Sequence, residues 1–249
     1  MKRDLLRLLL LQIRRDPRVR KEEHESFANF AGLRPDQIEI LNVFDTPSFD
    51  ADVLSGFDGL LVGGSSSASV LEAETYPFLP YARALMRHCI EEKLPVFASC
   101  FGFQLAVQEL GGVITRDREN FEMGTLPIEV LPEAAGDPIF GALGESVLAV
   151  SVHQESALVC PSGCVELART SVCCHAFRVV GAPFWAFQFH PELDRACVEH
   201  RLRIYQESYL DDDGHLDEVI ASLQETPQAN GMVRSFVESV LLAPRASDS

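Results

Sequence analysis

Basic residues are scarce in this sequence. Its 249 residues include 21 Lys and Arg against 37 Asp and Glu, which gives a formal net charge of −16 at pH 7. A general nucleic-acid binder and a protein held on an anionic membrane surface both need a basic footprint. Long apolar runs are missing too, since none approaches the ~18 residues of a membrane-spanning helix. We therefore expect a protein that binds neither nucleic acid nor membranes.

We also predict that the N-terminal segment is not a secretory signal peptide. The N-terminal segment MKRDLLRLLLLQIRRD combines basic residues with leucines, but Arg7 interrupts the apolar run and Arg14 and Arg15 end it. No small-residue cleavage site follows, as a signal peptide would require. We predict a buried first strand over residues 5–13 instead.

The cysteines do not form the pattern of a disulfide-rich protein. Seven cysteines, an odd number, in a chain of this length predict reduced thiols and a cytoplasmic location. The group Cys160, Cys164, Cys173 and Cys174 departs from the C-x2-C pairs of zinc sites, and adjacent cysteines in a strand face opposite ways. We expect these four to be structural, with no metal and no other cofactor.

Apolar runs alternate with amphipathic stretches over the first half of the chain. Fully apolar strands that alternate with helices indicate a parallel sheet covered on both faces. The predicted strands are 5–13, 37–44, 59–64 and 94–99, and the predicted helices are 22–32, 77–93 and 100–112.

The second half contains short strands separated by turn residues, typical of an antiparallel extension of the same sheet. These strands are predicted at 125–131, 146–152, 164–170, 174–180 and 183–189, and the helices that follow at 194–206 and 232–242. The acidic segment 211–218 is predicted as a loop followed by a short helix. No repeat and no linker rich in Pro, Gly or Ser divides the chain, so we predict one α/β domain over residues 1–249.

The stretch FASCFGFQLA, residues 97–106, places Cys100 between a buried strand and a helix. A sharp turn there exposes a nucleophile, and it requires small neighbours, here Ala98 and Gly102. The helix N-terminus favours a thiolate, and the N–H of Phe101 can point at a developing oxyanion. A buried core cysteine fits this segment equally well, because free cysteine is among the most buried residue types.

The stretch QFHPE contains His190 and Glu192, two residues apart. Proline restricts its neighbour to extended geometry, so the two side chains point to the same side. A carboxylate beside an imidazole fixes its tautomer, as the third member of a catalytic triad does. The alternative is a surface turn with a chance salt link.

Gly63 and Gly64 end a buried strand in GLLVGGSSSASV. Glycines let the backbone approach a ligand closely, and ligands bind at the carboxyl end of parallel strands. A phosphate cradle is disfavoured, because the segment lacks the lysine and the spacing of a P-loop.

These pieces, in this order, resemble the class I glutamine amidotransferases, which are Cys-His-Glu glutaminase domains. The strongest signal is C-x-G-x-Q, met by Cys100, Gly102 and Gln104, with F-H-P-E downstream. The resemblance covers about residues 5–205, leaves about 206–249 as a helical extension, and implies the family's flavodoxin-like α/β fold. In detail the chain is similar to stand-alone members related to the glutaminase domain of GMP synthase.

The resemblance implies a role for each matched residue. Cys100 would attack the side-chain amide of glutamine, His190 would act as base and then as acid, and Glu192 would orient it. The backbone N–H groups of Phe101 and Gly64 would form the oxyanion hole. Water would then hydrolyse the γ-glutamyl thioester.

Four further residues are implied as substrate-binding. Gln104 lies one helical turn after the cysteine, and therefore on its face. Gly63 belongs to the strand-end pair, and AVSVHQES resembles the family's S-H-G-D loop, with His153 and Glu155 as pocket candidates. An ordinary loop histidine is the alternative for His153.

The chain departs from the family pattern at two positions. Ala98 replaces a glycine and is still small enough for the turn. Phe103 replaces a histidine, and we expect it to make the rim of the site more apolar.

The resemblance implies hydrolysis of glutamine to glutamate and ammonia. No ATP-binding fingerprint is present, so a separate synthetase partner would receive the ammonia. The alternatives are a γ-glutamyl peptidase that uses the same triad and, in another class, a non-catalytic regulatory or binding subunit.

Overall fold

A computed structural model describes residues 2–117, 121–205 and 213–243. The strands in this part of the chain are β1 Leu8–Gln12, β2 Ile38–Asn42, β3 Gly59–Val62, β4 Val96–Ser99, β5 Thr115–Arg116, β6 Glu122–Val130, β7 Ser146–His153, β8 Glu155–Ser156, β9 Cys164–Arg169, β10 Cys174–Val179 and β11 Phe184–Phe187. The α-helices are α1 Pro17–Ala31, α2 Leu79–Glu91, α3 Phe101–Glu109, α4 Arg195–Ile204, α5 Asp213–Ser222 and α6 Pro227–Phe236.

One large sheet has the order β2-β1-β3-β4-β11-β10-β9-β6-β7. The first four neighbouring pairs in this order, from β2–β1 to β4–β11, are parallel. The remaining four pairs, from β11–β10 to β6–β7, are antiparallel. The predicted α/β fold with an antiparallel extension is therefore confirmed. One detail differs from the prediction. Strand β11, predicted in the antiparallel extension, pairs in parallel with β4.

Strand β1 shows why the sheet has two covered faces. All five of its residues are buried. Because successive side chains alternate, Leu9 and Leu11 join the core cluster under α2 and α3, while Leu8 and Leu10 join the cluster under α1 and α6. Full burial of each leucine contributes about 1.5–3 kcal/mol. The predicted first strand is confirmed.

Helix α1 begins earlier than the predicted residue 22. Pro17 is its first residue, where the missing N–H costs nothing. Asp16 precedes it as the N-cap and accepts a hydrogen bond from the N–H of Arg18. Gly32 ends the helix in the left-handed conformation, with a φ of 64°.

The C-terminal part is more helical than predicted. The helix expected at 232–242 begins at Pro227, and its last turn, Val237–Leu241, widens to a π-helix. The segment 211–218, predicted as a loop followed by a short helix, is helical from Asp213, and this helix ends at Ser222. Residues 211 and 212 of that segment lie outside the described residues.

No helix within the described ranges has the length and apolarity needed to cross a membrane. The longest, α1, has 15 residues. At 1.5 Å per residue it spans about 22 Å, short of the ~30 Å hydrocarbon core of a bilayer.

Candidate active site

Three neighbouring parallel strands, β3, β4 and β11, end at the same edge of the sheet. Gly64 lies just beyond β3, Cys100 directly follows β4, and His190 lies three residues beyond β11. The carboxyl ends of parallel strands form the ligand-binding edge of open α/β sheets. The strand order therefore brings residues that are far apart in the sequence to one place.

Cys100 occupies a strained turn. Its backbone has φ 50° and ψ −98°, a conformation that non-glycine residues rarely adopt. Its N–H donates to the carbonyl of Phe187 over 2.7 Å, which ties the turn to β11. Such a backbone costs about 1–3 kcal/mol and is typical of functional sites. The conformation favours the nucleophile over a structural cysteine, which needs no strained turn.

Gly102 allows helix α3 to start directly against β3. A Cβ at this position would lie 2.9 Å from both Cβ and Cγ1 of Val62 and 3.0 Å from its carbonyl oxygen. These contacts are closer than side chains tolerate, and part of the obstacle is backbone. The turn that presents Cys100 therefore depends on a glycine at 102.

We expect Gly102→Ala to destabilise the fold by about 1–3 kcal/mol, because overpacking forces the helix away from the sheet. Thermal unfolding measures the effect. Gly231→Ala is the matched control, because Gly231 lies in α6 with nothing within 4 Å of an added Cβ. The control should be as stable as the parent, or more stable by up to about 1 kcal/mol. Equal stability of the two variants would contradict this account of the turn.

His190 and Glu192 form a buried pair. Nδ1 of His190 lies 2.7 Å from Oε1 of Glu192, and the side chains are 5% and 0% exposed. Because Nδ1 is engaged with the carboxylate, Nε2 is the nitrogen left for the thiol. Asn230 in α6 holds this segment by donating to the carbonyls of Pro191 and Leu193, each over 2.8 Å. The predicted extended run is wrong, because residues 191 and 192 form a turn in which the N–H of Leu193 donates to the carbonyl of His190 over 3.3 Å. The turn is buried, so it does not match the alternative of a surface turn either.

The charges in the site favour a protonated imidazole. Burial lowers the pKa of His190, but the negative charges of Cys100 and Glu192 and their hydrogen bonds outweigh it and raise the pKa to about 9. Burial likewise raises the pKa of Glu192, and His190 and Arg201 more than compensate, so the net direction is down. The arrangement is suited to a thiolate–imidazolium pair backed by a carboxylate.

The two strand-end glycines occupy different environments. A Cβ at Gly64 would lie 3.4 Å from Cβ of Cys100 and 2.8 Å from Cε1 of His190. A Cβ at Gly63 would lie 2.7 Å from Oε1 of Glu23, and the Gly63 N–H donates to the carbonyl of Leu11. Gly64 therefore lies within the site, whereas Gly63 lies against Glu23, away from the cavity. The structure does not support Gly63 as a substrate contact.

A cavity of about 230 Å³ opens beside the cysteine. It is smaller than the about 300–1,000 Å³ typical of sites for drug-sized ligands, and therefore suits a metabolite. Nε2 of Gln104 donates to the backbone carbonyl of Glu155 over 2.8 Å, so a hydrogen bond links these two residues, both expected to bind substrate. The predicted residues on the cavity wall are Cys100, Phe101, Gln104, His153 and Glu155.

Sequence reasoning missed the charged group at the cavity mouth. Nη2 of Arg116 lies 2.6 Å from Oε1 of Glu155 and 2.9 Å from Oε1 of Glu72. The hydroxyl of Ser69 donates to the same oxygen of Glu155 over 2.6 Å. Arg116 reaches this position because β5 pairs with β8, which aligns it with Glu155. No local motif signals that pairing, although the serines after Gly64 belong to the loop already expected to lie near a ligand.

Phe103 does not lie at the rim, contrary to the sequence-based expectation. It is fully buried, and its ring packs 5.2 Å from the ring of Phe177 in β10. It is absent from the cavity wall. Its contact with Phe177 places the Phe103 side chain on the sheet, away from the cavity wall formed by Phe101 and Gln104.

Comparisons with known proteins agree with this geometry. The family model described as glutamine amidotransferase class-I matches residues 37–202. A GMP synthase [glutamine-hydrolyzing] from Thermotoga petrophila is 36% identical over 103 residues, which are 41% of this chain and 19% of that protein. The chain thus spans about a fifth of the length of that relative.

Two other relatives align over more of this chain. Gamma-glutamyl peptidase 3 from Arabidopsis thaliana is 25% identical over 69% of this chain and 69% of its own length. A GMP synthase [glutamine-hydrolyzing] subunit from Methanothermobacter thermautotrophicus is 27% identical over 68% of this chain and 84% of its own.

Among solved structures, a glutamine amidotransferase from Thermotoga maritima superposes with a TM-score of 0.77. It is 16% identical, and the match covers 96% of this chain and 99% of that one. At that identity the likeness concerns the fold alone. Since the family model covers more than half of the sequence, the chain belongs to the class-I glutamine amidotransferases, a family of enzymes.

Proposed function

We propose that this enzyme hydrolyses the side-chain amide of glutamine through a γ-glutamyl thioester on Cys100. The observation that supports this most directly is the buried pair of His190 and Glu192 beside a cysteine held at a strained turn. A nucleophile, a base and a group that orients the base are the three parts that covalent amide hydrolysis needs.

In the first step, the sulfur of Cys100 attacks the amide carbonyl carbon, and the carbonyl oxygen becomes an oxyanion. Phe101 is the first residue of α3, so its N–H has no partner within the helix. Gly64 lies beside the cysteine on the neighbouring strand end. In this mechanism the N–H groups of Phe101 and Gly64 donate to the oxyanion.

In the second step, the tetrahedral intermediate collapses and the carbon–nitrogen bond breaks. The imidazolium of His190 gives its proton to the departing nitrogen, which leaves as ammonia. A water molecule, deprotonated by His190, then attacks the thioester and releases glutamate and the thiolate. Glu192 holds the imidazole in one orientation throughout, and fixing the orientation in this way removes an entropic part of the barrier.

The charged group at the cavity mouth fits the amino-acid end of glutamine. A free amino acid has one positive and one negative group, and Arg116, Glu72 and Glu155 offer both signs there. In this proposal Arg116 binds the α-carboxylate and Glu155 binds the α-ammonium group. Gln104 supports Glu155 through its backbone carbonyl.

We expect Arg116→Met to raise the KM for glutamine by about 10- to 100-fold, because a charge-assisted hydrogen bond contributes about 1.5–3 kcal/mol. The value of kcat should change much less, since the residue is remote from the reacting atoms. Steady-state ammonia release measures both constants. Arg87→Met is the control, because Arg87 forms an ion pair with Glu109 outside the cavity. An unchanged KM in Arg116→Met would remove Arg116 from the substrate site.

A γ-glutamyl peptidase is the second candidate function. It is favoured by the relative of that name, which aligns over 69% of both chains. The same thioester would form, with an amino acid rather than ammonia as the leaving amine. The deciding experiment compares kcat/KM for glutamine and for a γ-glutamyl dipeptide. We expect glutamine to be preferred, and a preference for the dipeptide would overturn the proposed substrate.

We also propose that a separate synthetase receives the ammonia. The match to the Thermotoga petrophila GMP synthase covers only 19% of that protein, so most of its length has no counterpart in this chain. The GMP synthase subunit from Methanothermobacter thermautotrophicus, in contrast, is matched over 84% of its length. The glutaminase rate measured with and without a co-purified synthetase tests this, and we expect stimulation by the partner because closure completes many such sites.

A further inference from the structure

A second cluster of reactive side chains lies beside the cavity. One atom each of Glu122, His153, Cys173 and His175 belongs to a group in which all four atoms lie within 4.8 Å of one another. Oε2 of Glu122 is at the centre, 2.7 Å from Nε2 of His175, 3.1 Å from Nε2 of His153 and 3.5 Å from Sγ of Cys173. The proposed glutamine chemistry does not use Glu122, Cys173 or His175.

The cluster is buried, and hydrogen bonds satisfy only part of it. The side chains of His175, His153 and Glu122 are 0%, 3% and 10% exposed. Nε2 of His153 is buried 3.1 Å from Oε2 of Glu122 without good hydrogen-bond alignment, and buried Nδ1 of His175 has no partner. A buried polar atom without a partner calls for an explanation, and a bound ion is one of the usual ones.

We propose that these four side chains form a structural Zn²⁺ site. Two imidazole nitrogens, a thiolate and a carboxylate oxygen are all ligands that zinc takes, and four protein ligands are typical of closed structural sites. The carboxylate and the thiolate together balance the charge of the ion, which lowers the cost of burying it. As the sulfur–metal bond forms, the thiol proton leaves to solvent.

The separations of Glu122 from the other three side chains can be compared with the edges of a zinc tetrahedron. Ligand atoms at 2.0–2.3 Å from zinc lie about 3.3–3.8 Å from one another. The separation of Cys173 and Glu122 already falls in this range, and the two histidine separations are shorter by several tenths of an ångström. Binding of the ion therefore requires the Glu122 carboxylate to move away from both imidazoles.

The location gives the site a mechanical role. Glu122 and His153 face each other across the end of the β6–β7 ribbon, whereas Cys173 precedes β10 and His175 lies within it. An ion there would tie the ribbon end to β10. That ribbon end forms the cavity wall near the thiol, since Sγ of Cys100 lies 4.0 Å from the carbonyl of Val152.

The spacing of Cys173 and Cys174, which argued against a zinc site in the sequence, does not exclude one in the structure. Cys173 and Cys174 are adjacent and, as expected for neighbours in an extended segment, face different surroundings. Cys174 packs in the core cluster under α2 and α3, while Cys173 turns toward Glu122. The ligands therefore come from three separate segments rather than from a pair of closely spaced cysteines.

Metal analysis and a cobalt probe test the proposal. The full chain, expressed with zinc in the medium, should contain one Zn²⁺ per molecule by elemental analysis. After chelation, added Co²⁺ should produce thiolate-to-cobalt charge-transfer absorption. This absorption should remain in Cys100→Ala, which excludes metal on the nucleophile, and should be lost in Cys173→Ala.

Cys174→Ala is the matched control, because both thiols are fully buried and neighbours in the sequence. It should retain the absorption and the rise in Tm that Zn²⁺ gives the parent. Should Cys173→Ala fail to fold, Glu122→Ala, which leaves every thiol in place, must weaken binding of Co²⁺. No stoichiometric metal, absorption lost in Cys100→Ala, or absorption kept in both Cys173→Ala and Glu122→Ala would each overturn the zinc site and leave a hydrogen-bonded cluster only.

Discussion

Replacing Cys100 with alanine is expected to abolish ammonia release from glutamine while the protein remains folded. Without the sulfur no thioester forms, and loss of a nucleophile from a triad typically costs about four to six orders of magnitude in rate. The fold should survive, because alanine is smaller and keeps the backbone N–H that donates to Phe187. Ammonia release measures the first effect, and circular dichroism with thermal unfolding measures the second.

Cys89→Ala is the control for this substitution. Cys89 is also buried, and burial raises its pKa to about 12, so it lacks the thiolate character of a nucleophile. Its replacement should leave ammonia release unchanged. Persisting release in Cys100→Ala would contradict the thioester mechanism.

A reactive glutamine analogue distinguishes an enzyme from a protein that only keeps the fold. We expect an electrophile shaped like glutamine to label Cys100 far faster than Cys89 or Cys197. Burial raises the pKa of Cys197 to about 12, as it does for Cys89. Equal labelling of the three thiols would favour the non-catalytic alternative over hydrolysis.

The second large effect is expected for Glu192→Gln. In a triad, loss of the carboxylate that orients the base lowers the rate by about 10³- to 10⁴-fold, because the imidazole loses its tautomer and its charge support. Glutamine keeps the size of the side chain, so the loss should come from charge and orientation rather than from packing. The measurement is kcat/KM for glutamine over a range of pH.

The pH profile adds a readout that a packing defect would not move. In the folded parent the pKa of His190 is raised to about 9 from its ordinary 6.5, and Glu192 is one cause. The imidazolium should therefore persist at neutral pH, and kcat/KM should fall as the pH rises through about 9. In Glu192→Gln this alkaline limb should move to lower pH, because the charge that stabilised the imidazolium is gone.

The same pKa has a consequence for stability. A group whose pKa is raised in the folded state binds its proton more tightly there, so it stabilises the fold fully below about 6.5. That contribution is lost as the pH rises through about 9. Parent and Glu192→Gln should accordingly differ more in unfolding free energy at pH 6 than at pH 10.

Glu238→Gln is the control for Glu192→Gln, because Glu238 also forms an ion pair, with Arg3, at a more exposed position outside the cavity. This control should keep both the rate and the alkaline limb of the parent. If the limb moves equally in the two variants, or stays in place in Glu192→Gln, then Glu192 does not act on His190 in the proposed way.

Much of the fold and the principal site residues could be predicted because their signals are local. Strand β1 begins with four consecutive leucines, a run typical of a strand that is covered on both faces. The spacing of Cys100, Gly102 and Gln104 marks a strand-to-helix turn, and the sequence places Glu192 within two residues of His190. Each of these constraints acts within a few residues and can therefore be predicted from the sequence.

Other features follow from which elements pack together. The two glycines after β3 look equivalent in the sequence, yet Gly64 faces Cys100 and Gly63 faces Glu23 of α1. Phe103 was expected at the rim because it replaces a histidine of the family pattern. Its direction was decided by the position of β10, whose Phe177 receives the ring.

By itself, the sequence determined the class of fold and the sharp turn at Cys100, since apolar runs and backbone sterics set them locally. It also placed Glu192 two residues after His190, although a turn, and not an extended run, brings their side chains together. The tertiary structure alone decided that Arg116 meets Glu155 and that Glu122 meets Cys173. Those contacts join segments 39 and 51 residues apart. They depend on strand order and register, which arise from burying the whole sheet rather than from any short stretch of it.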